Sequence, residues 1–88
     1  MPSTRKKHRP ARFWKGWRDV APGYKDRRVM YGVCGKQCFL QPPYKYPICR
    51  ARTCRIDRRG VMSGYIRARQ RHNWRTSAKA RRMLDRLP

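Results

Sequence analysis

The sequence contains no glutamate and only four acidic residues, against 25 lysine and arginine residues. The four acids are all aspartates, and no two of them stand at a spacing that suggests a general acid and a general base. The chain also lacks a glycine-rich phosphate loop and an HExxH motif. We therefore predict that the protein is not an enzyme.

Long apolar runs are missing as well. No segment approaches the ~18 apolar residues that a transmembrane helix requires, so we expect no transmembrane segment. The N-terminal stretch MPSTRKKHRPAR is basic but is followed by no apolar core, which argues against a secretory signal peptide. We expect residues 1–24 to form an extended basic arm that contacts nucleic acid or an acidic surface through Arg5, Lys6, Lys7, Arg9 and Arg12.

Positive charge is what the chain has in excess. The formal net charge is +21 over 88 residues, and basic residues occur in every part of the sequence. Arginine outnumbers lysine, and its planar fork suits fixed contacts with phosphate or carboxylate. The composition predicts acidic partners, which could be larger acidic protein subunits, nucleic acid or an anionic membrane surface, and taken alone it favours nucleic acid.

Aromatic residues cluster in the motif FWKGW near the end of the predicted arm. Its rings could insert into a groove on a partner protein, stack on unpaired bases, or fold back over the protein's own core. We predict that partner contacts involve Phe13, Trp14, Trp17 and Trp74.

Four cysteines define a central module at residues 25–59. Cys34, Cys38, Cys49 and Cys54 follow a CxxxC and then a CxxxxC spacing, whereas zinc sites favour CxxC. One structural zinc ion and two disulfides are both compatible with this window. Without a signal peptide the residues alone favour zinc slightly, and four cysteines allow three disulfide pairings among which the spacing does not choose.

The module is predicted to be irregular. Val29, Tyr31 and Val33 alternate with other residues in a short β-prone run. Three prolines at positions 42, 43 and 47 then predict a stiff loop, because each fixes a backbone angle and removes a hydrogen-bond donor.

Residues 60–88 are predicted to form two short helices. Apolar residues recur at helical spacing in both, with Asn73 at the end of the first helix and Thr76 or Ser77 as the N-cap of the second. Arg67, Arg69 and Arg71 would spread around the first helix and contact more than one neighbour. The expected fold is thus a small, irregular, cysteine-stapled module with two short C-terminal helices and an extended basic N-terminal arm.

The segment from Tyr31 to Gln70 contains a series of short motifs: CFLxP at residues 38–42, KYPIC at 45–49, a further cysteine at 54, a glycine at 60, and YIRARQ at 65–70. With these motifs it resembles small basic proteins of large nucleocytoplasmic DNA viruses of algae and protists. This resemblance implies a virion component, such as a minor capsid protein beneath or between major capsid subunits. Such viruses commonly encode a thiol oxidase, so the resemblance also raises the expectation of disulfides.

Two functions follow from these observations. The first is a non-enzymatic structural protein of the virion, assembled in the host cytoplasm, that cements larger subunits through its cysteine-stapled core and basic arm. The alternative is a small ribosomal, mitochondrial ribosomal or other nucleic-acid-binding protein with a four-cysteine zinc module, in which arginines on all sides contact RNA phosphates.

Overall fold

A computed structural model describes residues 15–87 of the chain. The predictions for Phe13, Trp14 and the five arm cations concern residues outside this part. The described elements are helix α1 (Trp17–Val20), helix α2 (Tyr24–Cys34), a 3₁₀ turn (Gly35–Cys38), strands β1 (Phe39–Gln41) and β2 (Lys45–Pro47), and helices α3 (Arg58–Gln70) and α4 (Trp74–Arg86). Residues 15–24, predicted to lie in an extended arm, instead contain α1 and the first residue of α2.

The two C-terminal helices predicted from the apolar spacing are confirmed. They pack against each other and against the short sheet, and the buried side chains of this cluster are Leu40, Ile48, Val61, Ala80 and Leu84. Met83 and Leu87, which belong to the same predicted apolar stripe of α4, pack at its edge. No helix within residues 15–87 is both long enough and apolar enough to cross a bilayer.

The starts of these helices differ from the prediction in one case. Asn73 follows the end of α3 at Gln70, where its backbone N–H donates to the carbonyl of Ala68 at 2.8 Å, and it also caps the second helix, because its side-chain oxygen accepts a hydrogen bond from the backbone N–H of Thr76 at 3.3 Å. The predicted caps Thr76 and Ser77 are buried inside α4. Asparagine is as good an N-cap as serine, and here its amide also donates to Gln41 Oε1 at 2.8 Å, which ties α4 to β1.

Helix α3 begins at a carboxylate. Asp57 accepts the backbone N–H of Arg59 at 2.8 Å, and the guanidinium of Arg59 donates to both of its carboxylate oxygens, at 3.0 and 2.8 Å. The Asp57 side chain is only 11% exposed. The hydrogen bond from the Arg59 side chain holds the pKa of Asp57 below its ordinary value and outweighs the opposing effect of burial.

We expect the Asp57 carboxylate to make stability dependent on pH. Because its pKa is lower in the folded than in the unfolded chain, its stabilising effect is complete above the ordinary aspartate pKa and is lost as the pH falls through the lowered folded-state pKa. Asp57→Asn keeps the cap but removes the charge, whereas Asp57→Ala also loses the cap, at a cost of about 1 kcal/mol. Urea unfolding between pH 7 and pH 2 should show the wild type losing its advantage over Asp57→Asn in acid; a constant difference would contradict this.

The proline-rich segment forms a hairpin rather than a plain loop. Strands β1 and β2 are antiparallel, with Phe39 opposite Pro47 and Gln41 opposite Lys45. Pro42, Pro43 and Tyr44 form the turn between them. The hairpin accepts prolines because they stand in the turn and at the end of β2, where no ladder hydrogen bond from their nitrogen is needed.

The four cysteines form two disulfides, Cys34–Cys54 and Cys38–Cys49. Cys38 and Cys49 are completely buried beside Met30 and Phe39, whereas Cys54 is exposed. Within residues 15–87 no group of three or more His, Cys, Asp or Glu side chains could hold a metal ion, so the zinc alternative has no support there. The structure therefore selects the disulfide alternative and one of its three pairings.

The predicted β-prone run at residues 29–33 is wrong, because these residues belong to α2. Met30 is buried in the cysteine cluster, while Val29 and Val33 are 66% and 75% exposed. Met30 is thus the one buried residue of the run, and Tyr31, which is 36% exposed, contacts Phe39 edge-on with ring centroids 6.2 Å apart. The alternating apolar residues therefore do not form one buried face, as they would in a half-buried strand. β-Propensity depends on a neighbouring strand to pair with, and in residues 15–87 the one sheet consists of β1 and β2.

Candidate anion-binding surfaces

A cationic groove lies where α1, α2, β2 and α3 meet. Its volume is about 540 Å³, and five basic side chains line it without any carboxylate: Arg18, Arg27, Lys45, Arg67 and Arg71. Its remaining lining is largely apolar and includes Trp17, Pro22, Tyr46, Pro47 and Gly64. We refer to this site as the cationic groove.

Close packing of the hairpin on α3 forms one side of the groove. A Cβ atom added at Gly64 would lie 2.5 Å from Leu40 Cδ1 and 3.8 Å from Tyr46 Cβ. The bare glycine therefore lets the two strands approach α3 closely, which places Lys45 at the same cavity as Arg67. Arg67 and Arg71 are four residues apart, so they lie on one side of α3 and its C-terminal extension.

Arg27 is the cation that the protein itself holds in place. Its Nε donates to the backbone carbonyl of Pro22 at 3.3 Å, and its Nη1 donates to that of Tyr44 at 3.4 Å. A guanidinium has five N–H donors, so three remain for another acceptor. The side chain is thus oriented before any ligand arrives.

The acidic residues do not neutralise the groove. Three of the four aspartates bind arginines elsewhere: Asp26 lies 3.7 Å from Arg52, Asp57 lies 2.8 Å from Arg59, and Asp85 lies 3.9 Å from Arg81. The fourth, Asp19, is exposed and is not part of the groove lining. Among residues 15–87, none of the five groove cations forms an ion pair.

Arg69 takes part in a different surface. Its guanidinium lies 5.6 Å from the ring centre of Tyr65 and 6.0 Å from that of Trp74, and the ring of His72 contacts Trp74 edge-on at 5.4 Å. Two residues correspond to about 200° of helix rotation, so Arg69 points away from the groove side of Arg67. Trp74, predicted to contact a partner, is 56% exposed and free to do so.

A second cavity, of about 420 Å³, lies on other elements. Its lining includes four apolar residues, Phe39, Ile48, Ile56 and Met83, and four basic residues, Lys36, Lys79, Arg82 and Arg86. It shares no residue with the cationic groove. The described structure therefore presents clustered cations on at least two separate surfaces.

Trp17, predicted to bind a partner, is instead buried. It is 8% exposed and packs against Gly60, where an added Cβ atom would lie 2.6 Å from the indole ring. Of the three alternatives considered for the aromatic motif, Trp17 follows the one in which the ring folds over the protein's own core. The burial is favourable because the indole removes most of its apolar surface from water by packing on α3 at Gly60, where no side chain stands in the way.

Sequence reasoning identified Arg67 and Arg71 but missed the other three groove cations. Arg18, Arg27 and Lys45 come from three different elements, and Lys45 is the one basic residue between Gln37 and Cys49. No local pattern distinguishes them from the remaining cations.

Comparison of the chain with protein-family models, with curated proteins and with solved structures finds no match. The resemblance to small viral proteins therefore stays a prediction, and the function is argued from the surfaces of the protein itself.

Proposed function

We propose that the chain is a non-enzymatic structural protein, a minor capsid or other virion protein that joins larger acidic subunits. The observation that carries this proposal is the presence of cationic clusters on separate surfaces of one small body, around the groove and around the second cavity. A body of this kind can bind acidic partners on more than one side at once. The spread of Arg67 and Arg69 to different sides of α3 supports the same role.

The two disulfides also support this proposal. Disulfides persist in particles that leave the reducing cytoplasm and are rare in proteins that stay there. The competing ribosomal hypothesis relied on a zinc module, and the cysteines that would hold the metal are paired with each other. A rigid crosslinked core would keep the cationic surfaces at fixed angles between neighbouring subunits.

Particles of the virus that encodes the chain provide the test. After treatment with detergent and nuclease, we expect the chain to stay with the protein shell. A lysine-reactive crosslinker should then join Lys36 or Lys79, beside the second cavity, to a major shell subunit. A second readout is mass: the extracted chain should be about 4 Da lighter before reduction than after it, because two disulfides remove four hydrogens.

Two results would contradict the proposal. One is the absence of the chain from purified particles. The other is complete loss of the chain with the nuclease-released material, because a protein that cements the shell should not depend on the genome to remain there.

A further inference from the structure

Of the two described cavities, the cationic groove holds more like charge, with five basic residues against four in the second cavity. Five basic side chains share one cavity, and no carboxylate lines it. Their mutual repulsion opposes folding, and it is relieved when an anion enters. The groove is thus a site that gains from an anionic ligand, whatever else the protein binds.

We propose that the cationic groove binds the phosphate backbone of a single-stranded nucleic acid. The inference goes beyond the structural role proposed above and does not depend on it. It assigns the groove to nucleic acid, so the contacts with acidic subunits would be made by the second cavity and by the opposite side of α3, around Arg69 and Trp74.

The arrangement of the cations suits a ligand whose charges repeat along its length. Arg67 and Arg71 stand one helical turn apart, so their Cβ atoms are about 5 to 6 Å from each other. Arg18 and Arg27 reach the same cavity from α1 and α2, and Lys45 reaches it from β2. The five cations thus reach one cavity from four parts of the fold, which favours a ligand that carries several charges over a single small anion.

Arginine chemistry favours phosphate as the group recognised. Four of the five cations are arginines, whose fork donates two parallel hydrogen bonds to a phosphate. The two carbonyls that hold Arg27 reduce the entropy that this side chain loses on binding. Positive charge alone would attract any anion. The oriented guanidinium of Arg27 also favours a group such as phosphate that can accept two parallel hydrogen bonds.

The apolar lining distinguishes a single strand from a duplex and from an acidic peptide. Trp17 and Pro22 border the groove but are buried, whereas Tyr46 and Pro47 are half-buried and keep part of each ring open to solvent. Unpaired bases can stack on such surfaces, and this stacking needs no sequence preference. The bases of a duplex are paired and stacked on each other, and an acidic side chain has no flat face to offer.

Fluorescence anisotropy with a labelled 12-nucleotide oligothymidine tests the proposal on the full, oxidised chain. The variant Arg67→Gln/Arg71→Gln removes two exposed groove cations. The matched control Arg55→Gln/Arg75→Gln removes two exposed arginines outside both cavities. Both variants lose the same charge and keep the same N-terminal arm, so any general attraction changes equally. Urea unfolding should show that neither variant is less stable than the wild type.

We expect the groove variant to reduce the dependence of log affinity on log salt by about 1.4, since each lost phosphate contact removes roughly 0.7 for a single strand. At 0.1 M salt this corresponds to about 25-fold weaker binding. The affinity of the control variant for the oligothymidine should fall less than about threefold, because exposed charges outside the groove contribute only a weak general attraction. Equal losses in the two variants would overturn the proposal, because binding would then depend on net charge and not on the groove.

Two competitors decide the class of ligand. A duplex of the same length and a polyglutamate of equal charge should each displace the oligothymidine at least tenfold less effectively than unlabelled oligothymidine. If polyglutamate competes equally, and its own binding weakens in the groove variant, the groove binds acidic protein segments and the proposal is wrong. If the duplex competes equally, the single-strand assignment is wrong.

Discussion

Replacing Cys38 and Cys49 together by alanine is expected to lower the free energy of unfolding by about 4 kcal/mol. Cross-linking a loop of this length, with a sequence separation of 11, contributes about 3 kcal/mol in the chain-entropy account. Both cysteines are fully buried, so their loss also leaves a void beside Met30 and Phe39 that costs on the order of 1 kcal/mol more. The free energy of unfolding of a native protein is only about 5 to 15 kcal/mol, so this variant would lose a large part of its stability.

The second disulfide provides the matched control. Cys34→Ala/Cys54→Ala opens a longer loop, with a sequence separation of 20, but Cys54 is exposed and its removal leaves little void. We expect the free energy of unfolding to fall by about 3 kcal/mol, which is less than for the buried pair despite the longer loop. Urea unfolding of both variants under non-reducing conditions makes the comparison. A larger loss for the exposed pair would mean that loop length, and not burial, determines the contribution of each crosslink.

Replacing Trp17 by alanine is expected to cost about 3 kcal/mol or more, because the indole is a large side chain buried against α3. Because of the same contact, the stability of the protein should be sensitive to the size of the side chain at position 60. An added Cβ atom would lie 2.6, 2.8 and 2.9 Å from three atoms of the indole ring, which is rigid. Gly60→Ala should therefore destabilise the protein by about 1 to 3 kcal/mol, although alanine is the better helix former.

Two comparisons isolate this contact. Gly32→Ala lies in α2 with no atom within 4 Å of the new Cβ, so it should stabilise the protein by up to about 1 kcal/mol. In the Trp17→Ala background, Gly60→Ala should no longer destabilise the protein, because the indole ring with which the new Cβ atom would clash is absent. Urea unfolding of the four chains of this cycle measures the coupling. Additive effects would show that Trp17 and Gly60 do not restrict each other.

Helices α3 and α4 could be predicted because their signals are local. Ala80, Met83, Leu84 and Leu87 recur at helical spacing, and the structure places all four at the helix interface or its edge. Their caps were harder to predict, because Asn73, Thr76 and Ser77 are all capable N-caps and neighbours in sequence. The hydrogen bond from Asn73 to Gln41, a residue far away in the chain, accompanies the cap that forms.

Helix α2 illustrates the opposite case. Residues 29–33 have the composition of a strand, yet they lie in a helix whose last residue, Cys34, is bonded to Cys54. The alternating pattern predicted a strand because the sequence does not show which of these residues are buried in the folded protein. In the folded chain Met30 is the one residue of this run that packs in the cysteine cluster, and a helix places it there.

The sequence by itself determined the charge of the protein, the closeness of its four cysteines and the amphipathic character of its last two helices. Each is a property of composition or of short spacing, so it needs no knowledge of distant contacts. Only the tertiary structure decided the pairing of the cysteines, the burial of Trp17 and the gathering of five cations around one groove. These depend on residues that are far apart in the chain, and in a sequence with basic residues in every part no local pattern distinguishes the cations that meet from those that do not.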